Sequence, residues 1–268
     1  MLDSNINNLI EESVSYFAPI SLAEMGSVKL MNRVDTKYVV PKKFLLAILD
    51  AAMSDYFVQE IDDKRIATYD TLYYDTDTLD MYLRHHNRQL VRQKIRVRNY
   101  IDTQQTFLEI KRKNNKGRTK KKRIVVPSFD IQSETLGYSK KSTWTVDQFI
   151  AQNSNYRWRE LIPHLRTKFR RITLVNKAMT ERLTIDFDIA WDNVITKISK
   201  TYDELAIIEL KQDGYLSSLM TSIMLNLRIH PMKISKYCIG TVLTTPVLKY
   251  NRFKTKLCRL NKLLERDN

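Results

Sequence analysis

The sequence predicts an α+β fold whose antiparallel strands carry ionisable groups on one face and apolar groups on the other. Three observations predict it. Residues 91–100, VRQKIRVRNY, put Arg92, Lys94, Arg96 and Arg98 on one side of a strand and Val91, Ile95 and Val97 on the other. The same alternation returns in LEIKRK (Glu109, Lys111 and Lys113 against Leu108 and Ile110), in RLTIDFDIA and in AIIELKQ. Stretches with apolar residues at helical spacing lie between the strands. A row of like charges on a strand repels unless something anionic lies against it. For one strand a solvated face is the simpler reading. Its recurrence with both signs of charge suits a barrel with a charged interior, or an open sheet with one wet face.

In chain order, residues 5–17 carry Ile6, Leu9, Ile10, Val14 and Phe17 at helical spacing. Residues 29–40, KLMNRVDTKYVV, read as the first strand, with Arg33, Asp35 and Lys37 alternating with Val34, Thr36 and Tyr38. Pro41 can open a helix at its first turn, and Phe44, Leu45, Ile48, Leu49 and Ala52 form that helix's stripe. A Thr- and Tyr-rich strand spans 66–74 and is broken by Asp75-Thr76-Asp77, and residues 79–86 suit a helical turn. His85 and His86 are adjacent, share no face, and are expected at the surface, not as metal ligands or bases.

After the turn at 102–105, strand 107–113 pairs with 91–100 as a hairpin. The basic run NNKGRTKKKR suits a solvated loop or an anion-binding patch, and brings Lys121 and Arg123 to the charged face of the next strand. A Thr-capped helix is expected within 142–152, and His164 is expected to be structural. Strand 167–175 sets Phe169, Arg171 and Thr173 against Arg170, Ile172 and Leu174. Strand 182–190 sets Arg182, Thr184, Asp186 and Asp188 against Leu183, Ile185, Phe187 and Ile189. A weak strand near 195–199 leads to strand 206–211, with Glu209 and Lys211 on one face. An apolar-striped helix over 215–227 follows. MKISKY is expected to be a short last strand holding Lys233, Ser235 and Lys236, before a helix from Tyr237 and a basic helix over 246–268. No repeat or linker interrupts the chain, so one domain over 1–268 is expected, with a helical segment through residue 28.

Composition narrows the partners. Lys and Arg number 45 against 30 Asp and Glu, a formal net charge of +15, which favours an anion. Only five glycines are present and no glycine-rich phosphate loop occurs. Cys238 and Cys258 suit neither a disulfide framework nor a zinc site. The polar, acidic start MLDSNINNLIEE is unlike a signal peptide, and no apolar run reaches membrane-span length. A cytoplasmic protein is expected.

Taken in order, NRVDTKYVV, KIRVR, LEIKRK, FRR (169–171), RLTIDFD, IIELK and KISKYCIG resemble the motifs of VTC-type polyphosphate polymerase domains, in the triphosphate tunnel superfamily with the CYTH phosphohydrolases. The resemblance spans about residues 29–240. It implies an eight-stranded antiparallel β-barrel tunnel with a charged lumen, packed by surrounding helices. It implies ATP or another nucleoside triphosphate as donor, inorganic polyphosphate as acceptor and product, and a divalent metal, Mn²⁺ or Mg²⁺, on Glu209. Lys37, Arg96, Arg98, Lys111 and Arg171 resemble the family's catalytic phosphate ligands. Lys121, Arg123, Arg182 and Lys211 are candidate substrate contacts, and Lys233, Ser235 and Lys236 resemble the closing KxSK element.

The first strand departs from the hydrolase branch. CYTH hydrolases carry two glutamates and a lysine at alternate positions where this chain has Arg33, Asp35 and Lys37, so the polymerase branch is favoured. A hydrolase of the same fold and a non-catalytic binder of polyphosphate or nucleic acid remain the alternatives. Only Tyr250 and Phe253 lie near the basic tail as base-stacking aromatics, which disfavours nucleic acid.

Overall fold

In the computed structural model, residues 2–26, 33–127, 145–214 and 217–265 are described. The elements run α1 (Leu2–Ser15), β1 (Ala18–Ser21), α2 (Leu22–Met25), β2 (Arg33–Pro41), α3 (Phe44–Ala52), β3 (Tyr56–Glu60), β4 (Ile66–Asp75), α4 (Asp80–His86), β5 (Arg92–Tyr100), β6 (Gln105–Lys113) and β7 (Thr119–Val126). They continue with α5 (Val146–Asn153), β8 (Ile162–Asn176), β9 (Glu181–Asn193), β10 (Ser199–Tyr202), β11 (Leu205–Asp213), α6 (Leu219–Asn226), α7 (Lys236–Thr244) and α8 (Lys254–Glu265).

Eight strands form one path, β2-β11-β9-β8-β4-β5-β6-β7, and every neighbouring pair in it is antiparallel. β10 adds to β9, β3 adds to β8, and β1 runs parallel to β3. The expected closure into a barrel is not present among the described residues, because β2 and β7 are the two ends of the path. The sheet curls far enough that Lys37 of β2 and Lys121 of β7 line one cavity. Both edges present cations to that cavity.

The apolar faces of the strands are covered by helices. Leu45, Ile48 and Leu49 of α3, with residues of α1 and α6, bury Val40, Ile172, Leu174, Leu183, Ile185 and Ile208. Met81 of α4 and Phe149 and Ile150 of α5 cover Ile95, Val97, Leu108 and Ile110. Helix α5 starts at a capping box: the Gln148 amide donates to Thr145 Oγ1 at 3.2 Å, and the Thr145 amide donates to Gln148 Oε1 at 3.0 Å. Residues 142–144, expected at its start, lie outside the described residues, as do 27–32 and 215–216.

Helix α7 is held tightly against β9. Trp191 Nε1 donates to the Lys236 carbonyl at 3.0 Å, and a Cβ on Gly240 would fall 2.2 Å from the Trp191 ring. Only glycine permits that approach. The buried Asp75 carboxylate accepts the Met81 and Tyr82 amides, each at 2.9 Å, and the Tyr237 hydroxyl, which ties α4 to α7. These contacts set the Ser235–Lys236 corner at the cavity.

Several expectations change. The segment 233–235 is not a strand; Ser235 caps α7 by accepting the Cys238 amide at 3.2 Å. The strand expected near 195–199 lies at Ser199–Tyr202, because 194–197 form the turn that precedes it. Pro41 ends β2 instead of opening α3. His86 is 1% exposed, packed against Tyr82 and Phe253, and so is not at the surface. Asp188 leaves the charged face. The β8–β9 register shifts between Lys168 and Arg170, Asp188 adopts φ 50°, and its carboxylate meets Lys42 and Arg170. This bulge reverses the facing of later residues on β9.

Candidate functional site

The inner faces of the curled sheet enclose a cavity of about 600 Å³ lined by fourteen Lys or Arg and three Asp or Glu side chains. Lys64, Arg65 and Asp102 come from turns. Strand parity supplies most of the others: Lys94, Arg96 and Arg98 from β5, Lys121 and Arg123 from β7, Arg182 and Asp186 from β9, and Glu209 and Lys211 from β11. Arg33 and Lys37 come from β2, Lys111 from β6 and Arg171 from β8. Ser235 and Lys236 enter from the start of α7.

The carboxylates divide these cations into two sets. Glu109, 1% exposed, holds Arg96 at 2.7 Å and also Lys121. Asp186 holds Arg171 Nη2 at 2.8 Å and Lys236. Glu209 holds Lys37 at 3.1 Å and Lys211 at 3.3 Å. Among the described residues, Lys94, Arg98, Lys111, Arg123 and Arg182 have no carboxylate partner. Lys94 donates to Ser235 Oγ at 2.8 Å. Arg98 donates to Thr71 Oγ1 at 3.1 Å, and its guanidinium stands over the Tyr69 and Phe169 rings at 5.2 and 5.8 Å. Cations without a carboxylate partner suit the cavity to a multiply charged anion.

The protonation states follow this division. Burial alone would raise the Glu209 carboxyl, but Lys37, Lys211 and Lys111 outweigh it and hold it well below its ordinary value. Against the same effect of burial, Arg171 and Lys236 hold Asp186 down. Burial pushes Lys111 down to about 8, with Glu209 opposing and Lys94 and Lys37 adding. Lys236 is also pushed down to about 8, by burial against the pull of Asp186. Burial raises the Tyr73 phenol, yet Arg96, Arg98 and Lys94 bring it down to about 8. Arg96 Nη1 donates to that phenol oxygen at 3.2 Å.

A pH dependence follows. As pH rises through about 8, Lys111 and Lys236 lose positive charge and Tyr73 gains negative charge. A bound polyanion favours the charged lysines and the neutral phenol, so binding takes up protons. Tripolyphosphate affinity is therefore expected to fall above pH 8, by about tenfold per pH unit for each lysine still coupled to binding. Titration calorimetry in buffers of different ionisation enthalpy measures both affinity and proton uptake. A flat affinity across that range would contradict this account.

Every candidate residue named from the sequence lines the cavity except Lys233. Met232 and Ile234 are buried on either side of it, so Lys233 is turned out to solvent. The sequence reading assigned no role to Lys94, Tyr73 or Asp186. The parity of QKIRVR carried the signal for Lys94, and RLTIDFD carried the one for Asp186. Nothing in TLYYD distinguished Tyr73 as the lining tyrosine.

No three His, Cys, Asp or Glu side chains group as a metal site among the described residues. Mg²⁺ or Mn²⁺ bound through a nucleotide needs only one or two carboxylates, with phosphate oxygens and water completing its shell. Glu209 is the candidate that fits, as a lumenal carboxylate whose two oxygens are held by the Lys37 and Lys211 ammonium groups.

The model of the family described as VTC domain matches residues 32–245. The chain belongs to the VTC domain family. The matched part of this VTC domain includes all eight strands of the path and α7. Similar solved structures include a candidate adenylate cyclase from Bacillus halodurans, at 12% identity over 76% of this chain and 94% of that one, TM-score 0.47. A candidate adenylate cyclase from Vibrio parahaemolyticus is 11% identical over 79% and 99%, TM-score 0.45. A candidate adenylyl cyclase from Hippeastrum, described as having a dominant triphosphatase activity, is 13% identical over 82% and 100%, TM-score 0.43. Likenesses of this strength carry no functional argument. No curated protein matches the chain significantly. No helix among the described residues is long and apolar enough to cross a membrane.

Proposed function

We propose that this VTC domain is a polyphosphate polymerase that transfers the γ-phosphate of ATP to a growing inorganic polyphosphate chain. The observation that carries this reading is the set of cavity cations without a carboxylate partner among the described residues, Lys94, Arg98, Lys111, Arg123 and Arg182, beside others held in place by Glu109, Asp186 and Glu209. A phosphate oxygen about 4 Å from one of these cations gains about 4 kcal/mol per unit charge at an effective dielectric of 20, against about 1 kcal/mol in water. Several such contacts offset the desolvation of a triphosphate.

In this reading Lys37, Arg96, Arg98, Lys111 and Arg171 grip the reacting phosphates, while Lys121, Arg123, Arg182, Lys211, Ser235 and Lys236 hold the rest of donor and acceptor. A terminal oxygen of the acceptor chain bonds to the γ-phosphorus. The bond from that phosphorus to the β–γ bridging oxygen breaks, and its electron pair leaves with ADP. Phosphoryl transfer of this kind asks for alignment and charge neutralisation, not a protein nucleophile. Glu209 would hold Mg²⁺ or Mn²⁺ as Lys37 and Lys211 turn to the phosphates, and the ion would neutralise charge on the transferring group. Arg33, which pairs with Asp35 at 2.6 Å, adds positive charge where the hydrolase pattern has an acid and favours an anionic acceptor over water. The whole chain acting as one tunnel domain in the cytoplasm, where ATP is available, completes the proposal.

Purified protein given ATP, Mn²⁺ and a short polyphosphate primer is expected to form long phosphate chains and ADP. Polyphosphate-stained gels and an orthophosphate assay follow both products. Orthophosphate without chains would make it a hydrolase, and no consumption of any nucleoside triphosphate would leave a binding module.

A further inference from the structure

The β6–β7 hairpin is basic beyond what the cavity uses. Nine of the thirteen residues 111–123 are Lys or Arg, and no acid occurs from 110 to 129. Lys121 and Arg123 line the cavity, so alternation sends Lys120 and Lys122 to the opposite face. Arg112 lies directly across from Lys120 in the register and shares that face. All three are exposed and have no carboxylate partner among the described residues.

The hairpin tip is ordered by its own hydrogen bonds. The Asn114 amide donates to the Arg118 carbonyl at 2.9 Å, the Arg118 amide donates to Asn114 Oδ1 at 2.9 Å, and Gly117 adopts φ 78°. β7 also ends the strand path, so its outer backbone edge is unpaired among the described residues. Like charges set opposite one another on a strand pair destabilise it unless an anion lies over them. A protein or helical partner would have to supply a matching acidic surface. A flexible linear polyanion needs only to cross the β7 edge, where successive side chains present cations first inside and then outside.

We propose that the outer face and outer edge of the β6–β7 hairpin form a second anion track, which carries inorganic polyphosphate once the chain extends beyond the cavity. It rests on the polyphosphate reading of the cavity. A cavity of about 600 Å³ holds a ligand of nucleotide size. Longer chains then gain contacts on the hairpin that a triphosphate does not reach.

The test compares tripolyphosphate with long-chain polyphosphate on the full chain carrying Arg112→Glu, Lys120→Glu and Lys122→Glu together. Tripolyphosphate affinity and thermal melting are expected to stay at the wild-type level. Long-chain affinity is expected to fall by at least about tenfold, and the slope of log affinity against log salt to drop by about 2–3, as lost phosphate contacts require. The corresponding triple Gln variant should show a smaller loss of the same kind, which separates lost contacts from introduced repulsion. Unchanged long-chain binding overturns the track, and so does equal loss of both ligands. Single-stranded DNA that binds the wild type as tightly as long-chain polyphosphate, and loses as much in the triple variant, overturns it in favour of a nucleic-acid surface. Arg98→Ala reports on the cavity separately. If it leaves tripolyphosphate binding unchanged, the cavity reading fails, while a chain-length-dependent loss in the triple variant still supports the track.

Discussion

Arg98→Ala is expected to lower kcat/KM for ATP-dependent chain growth by about 10²–10³ while the folded protein becomes no less stable. Arg98 is 6% exposed, stands over the stacked Tyr69 and Phe169 rings, and has no carboxylate partner among the described residues. Burial and the neighbouring Arg96 charge push its pKa down, the sign of a cation held at a cost. Removing an uncompensated buried charge relieves the fold, whereas removing a cation that meets developing phosphate charge slows the reaction. Opposite signs for melting temperature and turnover are therefore the signature. Arg96→Ala is a poorer probe, since it strips a partner from the buried Glu109 and confounds folding with catalysis. Arg98→Lys is expected to recover only part of the rate, because a point charge cannot reproduce a planar fork set over aromatic rings. Turnover of the folded alanine variant close to wild type would remove Arg98 from the reaction.

What could be read from the sequence follows from where side-chain alternation is unbroken. KIRVR, LEIKRK and IIELK are regular strands, so their parity placed Arg96, Arg98, Lys111, Glu209 and Lys211 on one side before any contact was known. Where the backbone departs from a strand, parity fails. The bulge at Asp188 moves a carboxylate out of the lumen, and the irregular segment before α7 turns Lys233 to solvent while keeping Ser235 and Lys236 at the cavity. Short strands carry too little alternation to register: β1 spans four residues and β3 five, and both are defined by pairing alone. The burial of His86 depends on Phe253, 167 positions away, and no local pattern encodes it. Closure of the sheet is likewise a long-range property of β2 and β7, beyond the reach of strand-by-strand reading.

Glu209→Gln separates a metal-binding carboxylate from a merely structural one. Glu209 sits opposite Lys37 across the β2–β11 pair and two residues before Lys211, and it touches both ammonium groups. The glutamine keeps the shape and can still accept from either lysine, so the fold is expected to persist. Losing the negative charge leaves the cavity floor more cationic. Triphosphate without metal is then expected to bind as tightly as before or more tightly. Turnover with Mg²⁺ or Mn²⁺ is expected to fall by about 10² or more, because an ion at the transferring phosphate loses its protein ligand. A purely structural Glu209 predicts a different pair of results: weaker folding, read as a lower denaturant midpoint, with metal-supported turnover per folded molecule retained. The decisive comparison is therefore metal-free binding of ATP against metal-supported chain synthesis in the same preparation. If both are unchanged in the folded variant, Glu209 does not hold the ion. Metal-supported synthesis lost beside intact metal-free binding is the pairing expected of a lumenal carboxylate that two lysines release to an incoming ion.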